Sequence, residues 1–229
     1  MSGAGTELPT VWRLPFALAW EAFGAGSRPI GAALLDADGA AVACGRNRSQ
    51  EAAAPPGQLA GAAIAHAEIN VLAQLPSRRR YGDHRLFTTL EPCLLCSGAL
   101  LHARVGTVVY AAADPMWRGI ERVPSVGGAI AERWVRGEGP VQGPLAAFGA
   151  MLPYLWTLRH APQTPESGEQ PRRDGPLGLA RRCLDTPGFT EAETVEAAYR
   201  LALPRIAEAG PDAGAGAGAG QSWYRAAGP

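Results

Sequence analysis

Lysine is absent from this chain of 229 residues, so arginine supplies all 21 positive charges, and 21 acidic residues balance them. The balance is even along the sequence, because residues 1–160 carry 14 arginines and 12 acidic residues and residues 161–229 carry 7 and 9. Proteins that bind nucleic acid through general phosphate contacts are strongly basic, so this class is disfavoured. The run Arg78-Arg79-Arg80 could still contact RNA, although a solvated helix end is the more common explanation of such a run.

Cysteine and long apolar runs are also scarce. Four cysteines occur, two of them in a Cys-x-x-Cys pair, which disfavours the disulfide framework of a small secreted protein. No basic residue precedes Arg13, whereas a secretory signal peptide begins with a basic segment. The longest apolar stretch, Leu145 to Leu158, contains Pro153 and is shorter than the roughly 20 residues of a membrane span. We therefore expect a soluble cytoplasmic protein that does not enter a membrane.

Apolar periodicity and turn residues predict alternating strands and helices in the first 160 residues. The segments 30–35 and 40–44 flank Asp38-Gly39 and predict a β-hairpin. Further strands are predicted over 85–90, 105–111 and 133–141, and helices over 11–23, 62–75, 92–102 and 144–159. Strands that alternate with helices are typical of a sheet covered by helices on its faces.

The composition changes after His160. Proline, glycine and arginine crowd residues 161–188, which predicts a linker or irregular structure. A helix is predicted over about 191–209, where Thr190 and Glu193 have capping-box spacing. Residues 213–220 alternate alanine and glycine and predict a flexible tail. We therefore divide the chain into a domain of residues 1–160 and a C-terminal extension of residues 161–229.

Two short motifs carry the chemistry: His66-Ala67-Glu68 and, downstream, Pro92-Cys93-Leu94-Leu95-Cys96. Imidazole nitrogen and thiolate sulfur are zinc ligands, and a catalytic zinc with three protein ligands keeps its fourth position for water. We therefore predict that His66, Cys93 and Cys96 bind zinc. Glu68 is predicted to be the catalytic residue that carries protons to and from that water.

Each motif alone has a simpler explanation. A single histidine in an alanine-rich helix is usually structural, and a Cys-x-x-Cys pair could be redox-active or half of a structural zinc site. A structural zinc site needs a fourth ligand, and the chain has no second Cys-x-x-Cys. The remaining cysteines, Cys44 and Cys183, are expected to be small buried apolar side chains. The two motifs together, in this order, favour a catalytic site.

These residues resemble the cytidine deaminase superfamily, and within it the branch of bacterial tRNA adenosine deaminases and guanine deaminases. The resemblance covers about residues 10–115 and includes Pro29 to Ala32, Thr89 to Cys93 and Gly98 to Gly106. It implies a three-layer α/β/α fold with a five-stranded mixed sheet between helices. It also implies a zinc cofactor, substrate contacts from Asn47 and Ala67, and a homodimer.

The chain departs from this branch after Asp114. Where bacterial tRNA adenosine deaminases have an Asp-x-Lys-x-Gly type segment, this chain continues with Pro115-Met116-Trp117-Arg118-Gly119. Trp117 is a candidate aromatic wall for a flat substrate ring. The neutral charge and this change favour, as the first hypothesis, deamination of a free nucleobase, nucleoside or related small purine- or pyrimidine-type heterocycle. The alternatives are a tRNA adenosine deaminase and a catalytically silent, zinc-stabilised binding module.

Overall fold

A computed structural model describes residues 6–160 and 175–210 of the chain. The helices are α1 (Thr10–Gly24), α2 (Ala67–Leu72), α3 (Leu94–Ala103), α4 (Gly128–Arg133), α5 (Pro144–His160), α6 (Pro176–Leu184) and α7 (Val195–Ala209). The strands are β1 (Gly31–Leu35), β2 (Ala41–Arg46), β3 (Tyr81–Leu90), β4 (Val105–Ala112) and β5 (Arg136–Glu138). Two 3₁₀ segments, Pro115–Trp117 and Ile120–Val126, precede α4. Within the described residues, every helix is too short or too polar to cross a bilayer.

The five strands form one mixed sheet in the order β2-β1-β3-β4-β5. β1 pairs antiparallel with both β2 and β3, and Asp36 closes the β1–β2 hairpin by accepting hydrogen bonds from the N–H groups of Asp38 and Ala40. β3, β4 and β5 run parallel to one another, and α3 makes the crossover that joins the parallel neighbours β3 and β4. The predicted hairpin and the five-stranded mixed sheet are both confirmed.

Helices cover both faces of this sheet. Leu86 and Val108 pack in one apolar cluster with residues of α2 and α3. Their chain neighbours Phe87 and Val109 pack in a second cluster with residues of α1, α5, α6 and α7. Successive side chains of a strand point to opposite faces, so the two clusters lie on opposite sides of the sheet. The predicted three-layer α/β/α arrangement is therefore confirmed.

The helix that carries the first motif begins later than predicted. The sequence predicts a helix over 62–75, but α2 begins at Ala67, and His66 before it has extended backbone angles (φ −75°, ψ 160°). The preceding segment is tied to the end of β2, because the N–H of Arg48 donates to the carbonyl of Ala65 at 2.9 Å and the N–H of Gly61 donates to that of Arg48 at 3.0 Å. These bonds hold residues 61–65 out of the helix, so His66 lies at its entrance.

The prediction of a linker over 161–188 is wrong for residues 176–184, which form α6. This helix begins at Pro176, where the missing N–H costs nothing, and its buried residues are Leu179, Ala180 and Cys183. Glycine, proline and arginine around these three residues obscure the short apolar face in the sequence. Residues 161–174 and the alternating segment 213–220 lie outside the described residues.

The last predicted helix is confirmed, with a different start. α7 begins at Val195, and the hydroxyl of Thr194 accepts a hydrogen bond from the N–H of Ala197 at 3.2 Å. Thr194 is therefore the capping residue, whereas the capping-box spacing pointed to Thr190. Thr190 instead donates a hydrogen bond to its neighbour Glu191.

The C-terminal helices complete the core on one face of the sheet. The indole N–H of Trp20 in α1 donates to the carbonyl of Ala192 at 2.8 Å, and its ring lies 5.5 Å from that of Phe189. The ring of Phe148 in α5 lies 5.1 Å from that of Tyr199 in α7. Phe148, Phe189 and Tyr199 are all buried. The core therefore continues across residue 160, between α5 and the extension.

We expect Phe189→Ala to destabilise the whole described fold. Phe189 is fully buried, and truncation of a buried phenylalanine costs about 3–5 kcal/mol through lost transfer energy and the cavity that remains. The free energy of unfolding from denaturant titration measures the cost. Val126→Ala is the control because Val126 is 68% exposed. Equal, small losses in the two variants would contradict a core that includes the extension.

Candidate active site

His66 and Glu68 lie on either side of Ala67 at the start of α2. His66 is half-buried and still extended, Ala67 is fully buried, and Glu68 in the first turn is 4% exposed. Residues two apart diverge on a regular helix. Here the chain turns from extended to helical between them, so both side chains reach the sulfur of Cys96.

Cys93 and Cys96 lie at the start of α3, after β3 ends at Leu90. Cys93 precedes the helix with extended backbone angles (φ −66°, ψ 173°), and Cys96 follows in the first turn. Residues three apart are neighbours on a helix surface, so both sulfur atoms face the same space. Both cysteines are buried. The predicted placement of the second motif at a helix start is confirmed.

The three predicted ligands converge on one point. Nδ1 of His66 lies 3.5 Å from Sγ of Cys93 and 3.4 Å from Sγ of Cys96. The three ligand atoms all lie within 4.8 Å of one another. Two sulfur atoms and one imidazole nitrogen are a donor set that zinc takes in catalytic sites with three protein ligands. The residues present therefore fit a zinc ion, which agrees with the cofactor predicted from the sequence.

The two thiols and the imidazole are electrostatically coupled. Hydrogen bonds with Cys96 and His66 lower the pKa of the Cys93 thiol to about 4, against the opposing effect of burial. The hydrogen bond with Cys93, together with burial, raises the pKa of Cys96, and the hydrogen bond with Cys93 also raises that of His66. The Cys93 thiolate thus accepts hydrogen bonds from Cys96 and His66. A divalent cation among these atoms favours the thiolate form of both cysteines.

Glu68 places a buried carboxyl group against this cluster. Its Oε2 accepts a hydrogen bond from Sγ of Cys96 at 3.4 Å, and its Oε1 accepts one from the hydroxyl of Thr88 at 3.3 Å. Burial raises the pKa of the Glu68 carboxyl, because the charged form is poorly solvated there. A carboxyl group with a raised pKa is suited both to take up and to release a proton.

The predicted substrate contacts lie at three different places. Ala67 lies between the two key residues of the first motif. Asn47 directly follows β2, is 2% exposed, and accepts hydrogen bonds through Oδ1 from the N–H and the hydroxyl of Ser49. Among the described residues, its Nδ2 has no hydrogen-bond partner. Trp117 is half-buried at the end of the 3₁₀ segment Pro115–Trp117.

The segment that carries Trp117 is anchored beside the second motif. Glu91, which directly precedes Pro92, accepts a hydrogen bond from the N–H of Asp114 at 3.1 Å. Burial raises the pKa of Glu91 to about 7, and the negative charges of Asp114 and Glu121 act in the same direction. The chain that leads to Trp117 therefore starts next to the cysteine pair.

Sequence reasoning missed three polar residues around the site: Asn70, Thr88 and Glu91. Leu86, Thr88 and Leu90 are every second residue of β3, so the strand period places all three side chains on one face of the sheet. Glu91 stands between that strand and the second motif, which was a further signal. Asn70 is fully buried in α2, one turn after His66, and a polar side chain amid apolar helix positions was the only hint.

A comparison with protein families identifies the region around these residues. Residues 8–112 match the family model described as the cytidine and deoxycytidylate deaminase zinc-binding region. The match contains both motifs, β1 to β4, and the helices α1, α2 and α3.

Three similar proteins illustrate the range of relatives. The chain is 36% identical over 107 residues to a tRNA-specific adenosine deaminase of Agrobacterium fabrum; the aligned residues cover 44% of this chain and 64% of that protein. It is 41% identical over 90 residues to a tRNA(Ile)-lysidine synthase of Deinococcus radiodurans; the aligned residues cover 38% of this chain and 14% of that protein. A solved structure from work on A-to-I editing by tRNA:A34 deaminases is 33% identical, with a TM-score of 0.40, over 47% of this chain and 74% of that one.

The chain spans less than two thirds of the length of each of these two curated relatives. The family model matches the part that holds both motifs and four of the five strands, β1 to β4. This match agrees with the mixed sheet and with the cluster of one histidine and two cysteines. Residues 8–112 therefore form a cytidine and deoxycytidylate deaminase zinc-binding region.

Proposed function

We propose that the chain is a zinc-dependent hydrolytic deaminase in which His66, Cys93 and Cys96 hold the metal and Glu68 carries protons. The observation that supports this most strongly is the buried Glu68 carboxyl, 3.4 Å from the sulfur of Cys96. A purely structural zinc site gains nothing from a carboxylate that is desolvated beside its ligands. A hydrolytic site needs such a group to move protons.

The chain's own residues would divide the reaction as follows. His66, Cys93 and Cys96 would hold the zinc ion, which would supply a water molecule acidic enough to act as a nucleophile near neutral pH. Glu68 would accept a proton from the attacking water and deliver it to a ring nitrogen of the substrate, while the water oxygen bonds to the carbon that bears the amino group. The same carboxylate would then take the remaining proton of that oxygen and donate it to the amino group, so that the C–N bond breaks, ammonia leaves and a carbonyl group forms. Burial of Glu68 suits both steps, because it holds the pKa of the carboxyl above its ordinary value.

Thr88 orients this proton carrier. Its hydroxyl donates to Oε1 of Glu68, so the second oxygen, Oε2, is the one directed at the cysteine cluster. Thr88 is fully buried on β3, and the strand fixes the position of its hydroxyl. Asn47 is proposed to bind the substrate through Nδ2, and Trp117 to form one wall of the pocket.

Adenosine in tRNA is the substrate that we now place first. The sequence alone favours a small heterocycle and places tRNA second, whereas the named relatives support tRNA. Relatives named tRNA-specific adenosine deaminases are 32–36% identical to the chain over the shared region. The exposed run Arg78, Arg79 and Arg80 offers local contacts to phosphate without a basic surface overall.

A small purine- or pyrimidine-type heterocycle remains the second candidate. The specific observation in its favour is the formal net charge of zero, together with the absence of lysine. A small substrate needs no electrostatic attraction to a phosphate backbone. The homodimer implied by the family resemblance also stays a proposal.

A substrate panel tests the proposed reaction. We expect the zinc-loaded protein to release ammonia from tRNA and to convert adenosine there to inosine, with binding that weakens as salt is raised. Free adenosine, guanine, cytosine and cytidine complete the panel, and the Glu68→Ala variant is the blank. Release from one of the free compounds alone would replace tRNA by the second candidate. No release from any of them would contradict the enzymatic proposal and favour the binding-module hypothesis.

Loss of one proposed ligand should lower metal content and stability together. We expect Cys93→Ala to bind well below one zinc per chain and to unfold at a lower temperature, because metal binding is coupled to folding. Metal analysis and thermal unfolding measure the two effects. Cys183→Ala is the matched control, since Cys183 is also buried but lies in α6, so it should lose some stability and keep its zinc. Full zinc occupancy in Cys93→Ala would contradict the ligand assignment.

Loss of the proton carrier should affect turnover and spare the metal. We expect Glu68→Gln to keep one zinc per chain and to lose about 10²–10⁴-fold in kcat, the range that general acid–base catalysis supplies. Glu138→Gln is the control, because Glu138 forms ion pairs with Arg85 and Arg136 on the surface side of β5. Near-normal turnover of the Glu68→Gln variant would show that another group moves the protons.

A further inference from the structure

The loop between β2 and α2, residues 47–65, connects two parts of the proposed site. Asn47 is its first residue, and His66 follows directly after its last residue. The loop contains no helix or strand, so hydrogen bonds within the β2–α2 loop and to its neighbours must set the distance between the substrate contact and the metal ligand. The N–H of Asn47 donates to the carbonyl of Ile30 at 2.9 Å, and what holds the loop positions Asn47 from its other side.

A single buried amide, that of Asn70, spans the loop. Asn70 lies in α2, two residues after Glu68, and is fully buried. Its Oδ1 accepts a hydrogen bond from the N–H of Leu59 at 2.7 Å. Its Nδ2 donates to the carbonyl of Arg46 at 2.9 Å and to that of Leu59 at 3.1 Å. The same amide thus bonds the residue directly before Asn47 and the middle of the loop.

Gly45 makes this contact possible. A Cβ atom at position 45 would lie 2.8 Å from the carbonyl oxygen of Ala67 and 2.9 Å from Cβ of Asn70. Such distances are shorter than real Cβ contacts, so only a residue without a side chain lets α2 approach β2 this closely. The approach brings the Asn70 amide within hydrogen-bond distance of the backbone of Arg46.

The loop's other half is held by charge, independently of α2. The carboxylate of Glu51 accepts hydrogen bonds from both nitrogens at the end of the Arg46 guanidinium and, at 2.7 Å, from Nη1 of Arg48. All three side chains are 13% exposed or less. This ion cluster braces the loop internally, whereas Asn70 is the group that joins the loop to the helix of the first motif.

We propose that Asn70 is a positioning residue, which fixes Asn47 relative to the His66–Glu68 motif by bonding both Arg46 and Leu59. The proposal rests on the proposed function for the role of Asn47. The backbone N–H of Asn70 makes the first helical hydrogen bond of α2, to the carbonyl of His66 at 2.9 Å, but among the described residues its side-chain amide bonds only Arg46 and Leu59, so the side chain acts through the loop. A side-chain amide suits this task, because its NH₂ group can donate to the two backbone carbonyls and its oxygen can accept from the backbone N–H of Leu59.

Hydrogen exchange tests the holding of the loop without reference to activity. The amides of Arg48 and Gly61 bond within the loop, to Ala65 and Arg48 respectively, and do not touch Asn70. We expect both to exchange at least about tenfold faster in Asn70→Ala than in the wild type, because the loop opens locally once it is detached from α2. Gln74→Ala is the control, since the Gln74 side chain donates to the carbonyls of Cys44 and Asn70, neither of which lies in the loop.

Kinetics test the positioning of Asn47. We expect Asn70→Ala to raise KM about tenfold, with a smaller change in kcat and one zinc per chain retained. The reason is that the loop shifts once the buried carbonyl of Arg46 and the backbone of Leu59 lose their partner, whereas the metal cluster stays in place. In a double-mutant cycle with Asn47→Ala, the two KM effects should not multiply, because Asn70 has nothing left to position once the Asn47 amide is gone.

The outcomes separate this proposal from the proposed function. Because Asn70→Ala removes the side-chain partner of three backbone groups, one in Arg46 and two in Leu59, Asn70→Asp, of the same size, repeats each measurement if the first variant fails to fold. Unchanged exchange in either folded variant, or KM effects that multiply in the cycle, would overturn the positioning role. If the wild-type protein deaminates no substrate, the proposed function fails, and the exchange comparison still decides whether Asn70 holds the loop.

Discussion

Burial of one carboxyl group beside two sulfur atoms and an imidazole nitrogen is the condition on which the rest of this site depends. Water would solvate Glu68, lower the pKa of its carboxyl and separate it from Cys96. The structure prevents this by enclosing Glu68 between α2, β3 and α3, so that its oxygens contact Thr88 and Cys96 only 3.3–3.4 Å away. The chemistry proposed here requires that enclosure, because a proton carrier must hold a proton near neutral pH.

The two halves of the site come from two entries into helices. His66 and Cys93 both have extended backbone immediately before a helix, and Glu68 and Cys96 follow in the first turns. Because α2 and α3 pack on the same face of the sheet, these four side chains meet although their motifs are 27 residues apart in the chain. On the opposite face, α6 and α7 pack with α1 and α5, so the extension stabilises the sheet from the side away from the site.

The sequence predicted the sheet, most helices and the four central residues, because these depend on local patterns. Alternation of apolar residues specifies a strand, and the spacing within His66-Ala67-Glu68 and Cys93-x-x-Cys96 reflects ligand chemistry directly.

The interactions that escaped prediction are long-range. The residues near Ala62 carry no local signal for the hydrogen bonds that Gly61 and Ala65 make with Arg48. The sequence therefore places the start of α2 too early. Likewise, α6 is stabilised by burial of Leu179 and Cys183 against distant helices, whereas its local composition is typical of a linker. The role of Asn70 depends on two carbonyls, those of Arg46 and Leu59, that only the folded chain brings together.

X-ray absorption at the zinc edge of the metal-loaded protein tests the central claim most directly. Three protein ligands with an open fourth position predict two sulfur atoms at about 2.3 Å and two lighter atoms, nitrogen or oxygen, at about 2.0–2.2 Å. Substitution of Glu68 by glutamine should leave this pattern unchanged, since the carboxyl is proposed to lie beside the metal and not on it. A third sulfur ligand, or loss of one light ligand in that variant, would contradict the account and would make the site a closed, structural one.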